Sequence, residues 1–374
     1  MGRTLAGHRR WPSKCRLISF RKLIFRQLQT HFRMIGPMIE IDGSYGEGGG
    51  QIVRTAVALS AVTGKAVRIK RIRQDRPKPG LAPQHAQAIL ALARLCGGRA
   101  SGIEPGSSEI AFEPGEICGG SYRVDIGTAG SVTLLMQCLL PAMLKSSGST
   151  SLEVHGGTDV SWSPTVDYFR SVFLPALARF GVSASLELKQ RGYYPKGQGS
   201  VLLKIEPDTL KPARFEALHG VVTARPAVQG ISHSSNLPMH VAKRQAEAAT
   251  LALMQAGFEA GVALEALQLT STGSGITLWS GCKGGSALGA RGLPAERVGK
   301  KAADDLILEL ESGAAVDIHL ADQLVPYLAL AGGSCTVRQV SMHARTNIWT
   351  ARHFLDAEIK VEEAGGALFR IEAT

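Results

Sequence analysis

Apolar and polar positions along the chain repeat one pattern: a strand, a turn of small residues, an amphipathic helix and a second strand. The first copy starts with a strand over 38–41 and ends with a strand over 66–72. The second copy lies at 126–144 with a strand over 151–157, and the third at 341–355 with a strand over 357–363. Between the copies, helices are predicted over 163–180, 295–312 and 320–331. This repetition predicts an α+β fold of several similar units, whose ligand turns gather toward a common cleft.

Residues 184–280 follow a different pattern. Strands are predicted over 185–190, 200–205, 215–225 and 265–280, and one long helix over 237–256. We therefore predict an inserted smaller α+β domain over 184–280 and a main domain formed by 38–183 and 281–374. Residues 191–201 predict a hairpin with a glycine-rich bend. Its Lys196 could reach a phosphate, but a surface hairpin without a ligand is the favoured interpretation.

The turn after the first strand, DGSYGEGGGQIVR over 42–54, has the composition of a phosphate-binding loop. Its glycines allow positive-φ conformations and close approach of a ligand, and the N–H groups at the start of the following helix point toward an anion. It matches neither the dinucleotide-binding pattern nor the P-loop, because Glu47 lies inside the glycine run and no Gly-Lys-Ser/Thr follows. A tight strand-to-helix connection remains the alternative.

Cationic and hydrogen-bonding residues follow the second strand. Arg71, Arg73, Arg76 and Lys78 precede a Pro-Gly turn, and Gln84 and His85 stand at the start of an apolar-periodic helix over 86–95. Such side chains suit phosphate oxygens. Prolines at 77 and 79 stiffen the loop, which favours a fixed binding site over an edge strand with solvated arginines.

Two segments near the C-terminus carry candidate chemistry. HLADQL, over 319–324, predicts a helix with Asp322 in its first turn, where helix capping alone would explain the carboxylate. His343 is predicted in a turn after a strand over 335–340 and ahead of a helix that begins near Thr346. An exposed histidine beside helix N–H groups suits a nucleophile that attacks phosphorus, although most single histidines have no such role.

The amino-acid composition limits the possible domain organisation and binding partners of the protein. The 374 residues are 44% hydrophobic, enough for a substantial core in one large or two unequal domains, and no apolar run is long enough to span a bilayer. Six cysteines without metal-binding spacing predict reduced thiols in a cytoplasmic protein without disulfides. Residues 1–37 hold nine Lys/Arg and no Asp/Glu, so the rest carries only +2 of the net +11. A nucleic-acid footprint must then be a local patch.

Residues 1–37 are predicted to be a non-structural basic extension. An overextended start, with Met34 and Met38 just before the first strand, is at least as plausible as an organelle-targeting segment. A basic nucleic-acid arm is the third interpretation.

Seven motifs in order resemble the RNA 3′-terminal phosphate cyclase family: DGSYGEGGGQIVR, RPKPGLAPQH, IGTAGSVTLLMQ, HGGTD, YYPKGQG, HLADQL and SMHARTN. The resemblance runs from about residue 38 to the C-terminus. It implies repeated units of a four-stranded sheet backed by two helices, plus a smaller inserted domain. It also implies ATP-dependent conversion of an RNA 3′-phosphate end to a 2′,3′-cyclic phosphodiester, through a histidine-AMP and an RNA-adenylate intermediate.

The resemblance also implies roles for individual residues. His343 matches the adenylated histidine, and Glu47 matches a carboxylate that holds a divalent metal, Mg or Mn, on the triphosphate. Positions matching ATP contacts are Gln137, His319, Leu320, Ala321, Asp322 and Gln323. Positions matching the cleft for the RNA end or pyrophosphate are Arg54, Arg73, Arg76, Gln84 and His85. Some relatives carry Tyr where this chain has His319, a difference expected to affect affinity rather than chemistry.

Two alternatives stay open. The family has a non-catalytic ribosome-assembly branch that lacks the nucleophilic histidine, and the presence of His343 with Glu47 argues against that branch. Enolpyruvyl transferases are built from similar repeated units and bind phosphorylated ligands, but they need no ATP. The expected partner is RNA with a 3′-phosphate end, no membrane partner is expected, and the oligomeric state is open.

Overall fold

The computed structural model describes residues 38–216 and 226–374. Its first unit contains, in chain order, β1 (Ile39–Asp42), α1 (Gly50–Thr63), β2 (Val67–Lys70), α2 (Pro83–Leu95), β3 (Arg99–Ser101) and β4 (Ile110–Glu113). The strands form one sheet in the order β1-β2-β4-β3, in which only β1 and β2 are parallel. A β-α-β connection followed by an antiparallel pair thus places both helices on the sheet.

A second unit repeats this topology. It contains β5 (Gly120–Asp125), α3 (Val132–Leu144), β6 (Thr150–Gly156), β7 (Ser183–Gln190) and β8 (Gly199–Glu206). Between β6 and β7, a helical segment consists of α4 (Val166–Tyr168), a π-helical turn (Phe169–Phe173) and α5 (Leu174–Ala178). The sheet order is β5-β6-β8-β7, again with only the first two strands parallel.

A third copy is split along the chain. Its first strand is β9 (Ala213–Phe215), and the rest comes more than a hundred residues later as α8 (Ile318–Ala331), β14 (Gly333–Val337), α9 (Met342–Phe354), β15 (Ile359–Glu363) and β16 (Phe369–Ala373). The order β9-β14-β16-β15, with β9 and β14 parallel, matches the other two copies. The predicted repeated α+β units are confirmed.

The inserted unit lies between β9 and α8. It contains β10 (Val228–Ser235), α6 (Met239–Gln255), β11 (Ala260–Leu267), β12 (Gly273–Ser280), β13 (Lys283–Leu288) and α7 (Ala295–Glu311). Its sheet order is β11-β10-β12-β13, and its buried side chains, from Val228 to Leu306, form a core separate from the large one that the three repeats share.

The predicted domain boundaries of 184–280 are therefore wrong on both sides. The strands β7 and β8 pair with β6 and complete the second repeat, whereas β13 and α7 belong to the inserted unit. Alternating strands look the same in sequence whichever sheet they join. The strand predicted over 215–225 corresponds to β9, which ends at Phe215. Residues 217–225, like the predicted extension 1–37, lie outside the described residues.

A buried ionic cluster joins the inserted unit to the second repeat. Arg191, in the hairpin between β7 and β8, is 1% exposed, and its guanidinium donates to Asp167 at 2.7 Å and to Glu265 of β11 at 2.8 Å. The same group lies 3.3 Å from Asp159, whose other oxygen lies 3.5 Å from His233 Nε2 of β10. Burial raises the pKa of Asp159, but His233 and Arg191 outweigh it, so the net shift is downward.

The ligand atoms of Asp159, Asp167 and His233 lie within 4.8 Å of one another, close enough to hold a metal ion. The Arg191 guanidinium already supplies positive charge to both carboxylates. The cluster is therefore a clamp between units rather than a metal centre.

None of the helices in the described ranges is long and apolar enough to cross a membrane.

Candidate active site

The N-terminal ends of four helices from the three repeats, α1, α2, α3 and α9, meet at the candidate site. The helices α1, α2 and α3 pack against one another, and α8 and α9 pack against α3 and α1. Contacts between their first turns show that the N-terminal ends share one side: Glu47 before α1 touches His343 of α9, and Gln84 of α2 accepts a bond from Ser131 N before α3. Several positive helix ends on one side favour a polyanionic ligand.

His343 is the second residue of α9, not a residue of the preceding turn. The helix begins at Met342, four residues earlier than predicted, because Ser341 caps it: its Oγ accepts a bond from Ala344 N at 2.9 Å. The preceding strand β14 ends at Val337 rather than at residue 340. The His343 side chain is 48% exposed, so solvent and ligands can reach it.

The glycine-rich turn brings Glu47 to the histidine ring. Gly46 and Gly48 have φ of 61° and 56°, values that favour glycine, and the turn between them places Glu47 Oε2 3.2 Å from His343 Nδ1. Arg76 Nη2 lies 3.4 Å from the same oxygen. Gln51 fixes the backbone by donating to His343 O at 3.1 Å. The carboxylate is therefore positioned to select the imidazole tautomer with its proton on Nδ1.

Arg54, Arg73 and His85 form a cationic pocket beside this pair. Among the described residues, no carboxylate lies within ion-pair distance of Arg54 or Arg73. Burial lowers the pKa of Arg54 to about 10, which leaves it charged at neutral pH. Arg73 donates to Gly80 O at 3.1 Å, so its head group is fixed. Partly buried cations without protein counter-ions make a site for a bound anion.

His85 lies at the base of this pocket, where its ring packs against the start of α1. Its ring packs so tightly on Gly50 that a Cβ at Gly50 would lie 2.0 Å from the ring. Its Nδ1 is buried without a hydrogen-bond partner among the described residues. Burial, followed by the charges of Arg54 and Arg73, lowers the pKa of His85 to about 3. The ring is therefore neutral at physiological pH.

The neutral His85 predicts a pH dependence of stability. The unfolded chain protonates this histidine below about 6.5, whereas the folded protein resists protonation down to about 3. Stability from this group is therefore present above pH 6.5 and is lost as the pH falls toward 3, by about 1.4 kcal/mol per pH unit. We expect His85→Gln to flatten the free energy of unfolding against pH over this window, measured by urea titration. Parallel curves for the two proteins would contradict the assignment.

Asp322 and Asn347 connect α8 to α9 on the side of the helix start that carries Ser341. The Ser341 hydroxyl donates to Asp322 Oδ1, and Asn347 donates to the Asp322 carbonyl oxygen at 2.7 Å while accepting from Thr55 Oγ1 of α1 at 2.8 Å. Burial, with smaller contributions from nearby charges, raises the pKa of Asp322 to about 8. Thr55 and Asn347 were not predicted, because these two partners are 292 residues apart in sequence.

Asp322 does not cap α8. The helix begins at Ile318, and the cap is Asp317, which accepts from His319 N at 2.9 Å and Leu320 N at 2.7 Å. Asp322 lies in the second turn, so the capping explanation is wrong. A sequence signal for the true cap existed, since an Asp directly precedes the apolar-periodic run.

The residues predicted to contact ATP divide into two groups. Gln137 of α3 donates to Gln323 Oε1 at 2.6 Å, and Gln323 donates to His319 O at 2.9 Å, which places these polar groups together. Leu320 and Ala321 are 0% and 1% exposed in the large core. Helical periodicity turns these two side chains inward, which leaves only backbone atoms for contact with a ligand, and their assignment as ATP contacts stays a prediction.

Comparison with known proteins shows the family of the chain. A family model described as RNA 3′-terminal phosphate cyclase matches residues 45–361. Proteins called RNA 3′-terminal phosphate cyclase are 53% identical over 350 residues in Methanosarcina mazei and 54% over 353 in Methanosarcina acetivorans, in each case covering 89% of this chain and 99% of the relative. The relative from Archaeoglobus fulgidus is 52% identical over 327 residues, 87% of this chain and 98% of its own.

Among solved structures, the enolpyruvyl transferase NikO from Streptomyces tendae aligns over 90% of this chain and 48% of its own, at 12% identity and a TM-score of 0.36, too low to support an argument. The family match spans most of the chain and includes every site residue described above. The chain belongs to the RNA 3′-terminal phosphate cyclase family.

Proposed function

We propose that this protein converts RNA 3′-phosphate ends to 2′,3′-cyclic phosphodiesters at the expense of ATP, with His343 as the covalent nucleophile. The observation that carries the proposal is the contact of 3.2 Å between His343 Nδ1 and Glu47 Oε2, beside cations that lack protein counter-ions. The family match and the relatives' names support the same reaction.

The first step uses the nitrogen that Glu47 leaves free. With its proton on Nδ1 and donated to Glu47, the ring keeps a lone pair on Nε2. Nε2 attacks the α-phosphorus of ATP, a nitrogen–phosphorus bond forms, and the bond to the β-phosphate oxygen breaks with pyrophosphate taking the electron pair. The Glu47 carboxylate stabilises the positive charge that the ring acquires.

The next two steps move adenylate and close the ring. An oxygen of the RNA 3′-phosphate attacks the same phosphorus, and the nitrogen–phosphorus bond breaks, which returns the lone pair to Nε2. The adjacent 2′-oxygen then attacks the terminal phosphorus, loses its proton to solvent and expels AMP. A phosphate monoester is a poor electrophile, and adenylation gives it a leaving group that needs no proton. The 2′-hydroxyl is already adjacent to the activated phosphorus, and this proximity lowers the barrier to ring closure.

Phosphate groups are proposed to bind where Arg54, Arg73 and the helix N-termini face one another. Arg76, Gln84 and His85 border the same cleft. Arg76 is exposed and already contacts Glu47, so it can follow a phosphate that approaches the histidine. The side chains of Gln137, Gln323 and His319, which lie together, are proposed to contact the nucleotide.

Glu47 also fits the proposed divalent metal, Mg or Mn. Both of its described contacts use Oε2, and Oε1 has no hydrogen-bond partner among the described residues. Magnesium typically uses one or two carboxylates together with substrate phosphates, which matches this single carboxylate. When bound, the metal would neutralise charge on the triphosphate.

The test is incubation with α-labelled ATP and magnesium or manganese, with and without RNA carrying a 3′-phosphate. We expect an acid-labile, alkali-stable labelled protein, and pyrophosphate release with a cyclic RNA end as product. A folded protein that takes up no label would favour a non-catalytic RNA-binding relative. Phosphate release that depends on phosphoenolpyruvate would favour an enolpyruvyl transferase. The cytoplasmic location expected from the cysteines stays a prediction.

A further inference from the structure

Two aromatic side chains outside the reaction site are the most exposed large apolar residues of the described chain. Trp162, in the loop after β6, is 98% exposed, and Tyr194, in the hairpin between β7 and β8, is 77% exposed. Trp162 also has φ of 66°, a left-handed conformation that is costly for a bulky residue. An exposed ring on a strained backbone is the kind of feature that a binding function retains.

The two segments that carry these rings lie side by side. A parallel β-bridge joins Asp159, three residues before Trp162, to Tyr193, directly before Tyr194. On the other side of Trp162, Pro164 O accepts a bond of 2.8 Å from Thr133 at the start of α3. The loop that carries Trp162 is therefore fixed at both ends, and its first part lies beside the hairpin.

The hairpin itself is held rigidly. Tyr193 OH is 2.7 Å from His233 Nδ1, and Tyr193 N donates to Ser271 Oγ at 3.0 Å. Together with the bond from Arg191 to Glu265, these contacts tie the segment that leads to Tyr194 to the inserted unit. Tyr194 is thus presented to solvent on a fixed backbone, so little conformational entropy is lost when a ligand stacks on it.

The surface is continuous with the phosphate cleft. A Cβ at Gly197 of the hairpin would lie 2.9 Å from Ala129 Cα, and a Cβ at Gly130 would lie 3.1 Å from Gln84 Cβ. Ala129 and Gly130, two adjacent residues of one loop, therefore lie between the hairpin and Gln84. Lys196 adds an exposed cation. Its Nζ donates to Thr270 O at 3.2 Å, and no carboxylate among the described residues pairs with it.

We propose that Trp162 and Tyr194 stack the bases of nucleotides upstream of the RNA 3′-phosphate, while Lys196 meets their backbone. Aromatic faces joined to a cation bind single-stranded RNA with little sequence preference, because every base has a π-face. This surface, which we call the stacking surface, explains how one cleft could take RNA ends of different sequence. The inference rests on the proposed function, since the cleft orients the strand.

The test compares Trp162→Ala and Tyr194→Ala with the unaltered protein on two substrates: a 3′-phosphorylated oligoribonucleotide of about ten nucleotides and a 3′-phosphorylated mononucleoside without upstream bases. For the longer RNA we expect the KM of cyclisation to rise about 5- to 150-fold in each variant, with kcat little changed. For the short substrate, the variants should equal the unaltered protein. Trp162→Phe and Tyr194→Phe should retain most of the affinity.

Controls separate the surface from the chemistry. Met254→Ala removes another exposed apolar side chain, on α6, and should leave every parameter unchanged. Labelling with ATP alone should be normal in all variants. The dissociation constant for the longer RNA, measured without ATP by fluorescence anisotropy, reports stacking independently of turnover. An unchanged KM and dissociation constant in both alanine variants would overturn the inference while leaving the proposed reaction intact. Weakened RNA binding in a protein that never labels would uphold the surface and reject the reaction.

Discussion

Replacing His343 with alanine is expected to eliminate the labelled enzyme–AMP adduct and to slow cyclisation by about four orders of magnitude or more. The reason is that no other side chain near Glu47 offers a nucleophilic nitrogen with a carboxylate partner at 3.2 Å among the described residues. ATP binding should persist within a few-fold, because Arg54, Arg73 and the helix N-termini are untouched. Gel-based labelling and a nucleotide-binding titration measure the two effects separately.

The chain contains a matched control for this variant. His240 is also exposed, also follows a methionine and is also the second residue of its helix, α6. His240→Ala should label and cyclise normally, so a loss of activity common to both variants would indicate a non-specific effect. If His343→Ala still cyclised RNA at the normal rate, the covalent route would be refuted.

Replacing Arg191 with methionine is expected to lower the free energy of unfolding by about 3–5 kcal/mol. Methionine fills part of the volume but leaves Asp159 without its guanidinium neighbour and Asp167 with only Arg170. Buried carboxylates without a counter-charge are far costlier than a lost contact between apolar groups. Urea unfolding followed by circular dichroism gives the difference.

Arg244→Met provides the comparison for an exposed pair. Arg244 and Glu296 join α6 to α7 with a contact of 2.5 Å, but both side chains are about half exposed. Solvent screens such a pair, so a much smaller loss of stability than for Arg191→Met is expected. Equal effects of the two substitutions would show that Arg191 is not a buried clamp.

Much of the fold follows from local pattern. The strand–helix repeats and the glycine-rich turn were predictable because apolar periodicity and glycine both act within a few residues. The boundaries of α6 and α7 were predicted to within two residues at each end. The start of α9 was not, since Ser341 was not recognised as its cap.

The assembled site was less accessible to such arguments. Glu47 and His343 are nearly three hundred residues apart, and nothing in their local patterns states that they touch; only the resemblance to a family brought them together. The same limit explains the missed bridge from Thr55 through Asn347 to Asp322. Leu320 and Ala321 show a related limit: the motif over 319–323 was assigned as a block, and the structure shows that these two of its side chains pack inward.

The split third repeat has a consequence for how the enzyme is made. The strand β9 must wait for β14, its parallel neighbour, until the entire inserted unit has left the ribosome. Pairing β9 with β14 closes a long loop, which costs chain entropy. An inserted unit that folds separately shortens the flexible part of that loop. Both complete repeats can therefore form early, whereas the helix that bears His343 joins them last, so a nascent chain has the pocket of Arg54 and Arg73 before it has His343.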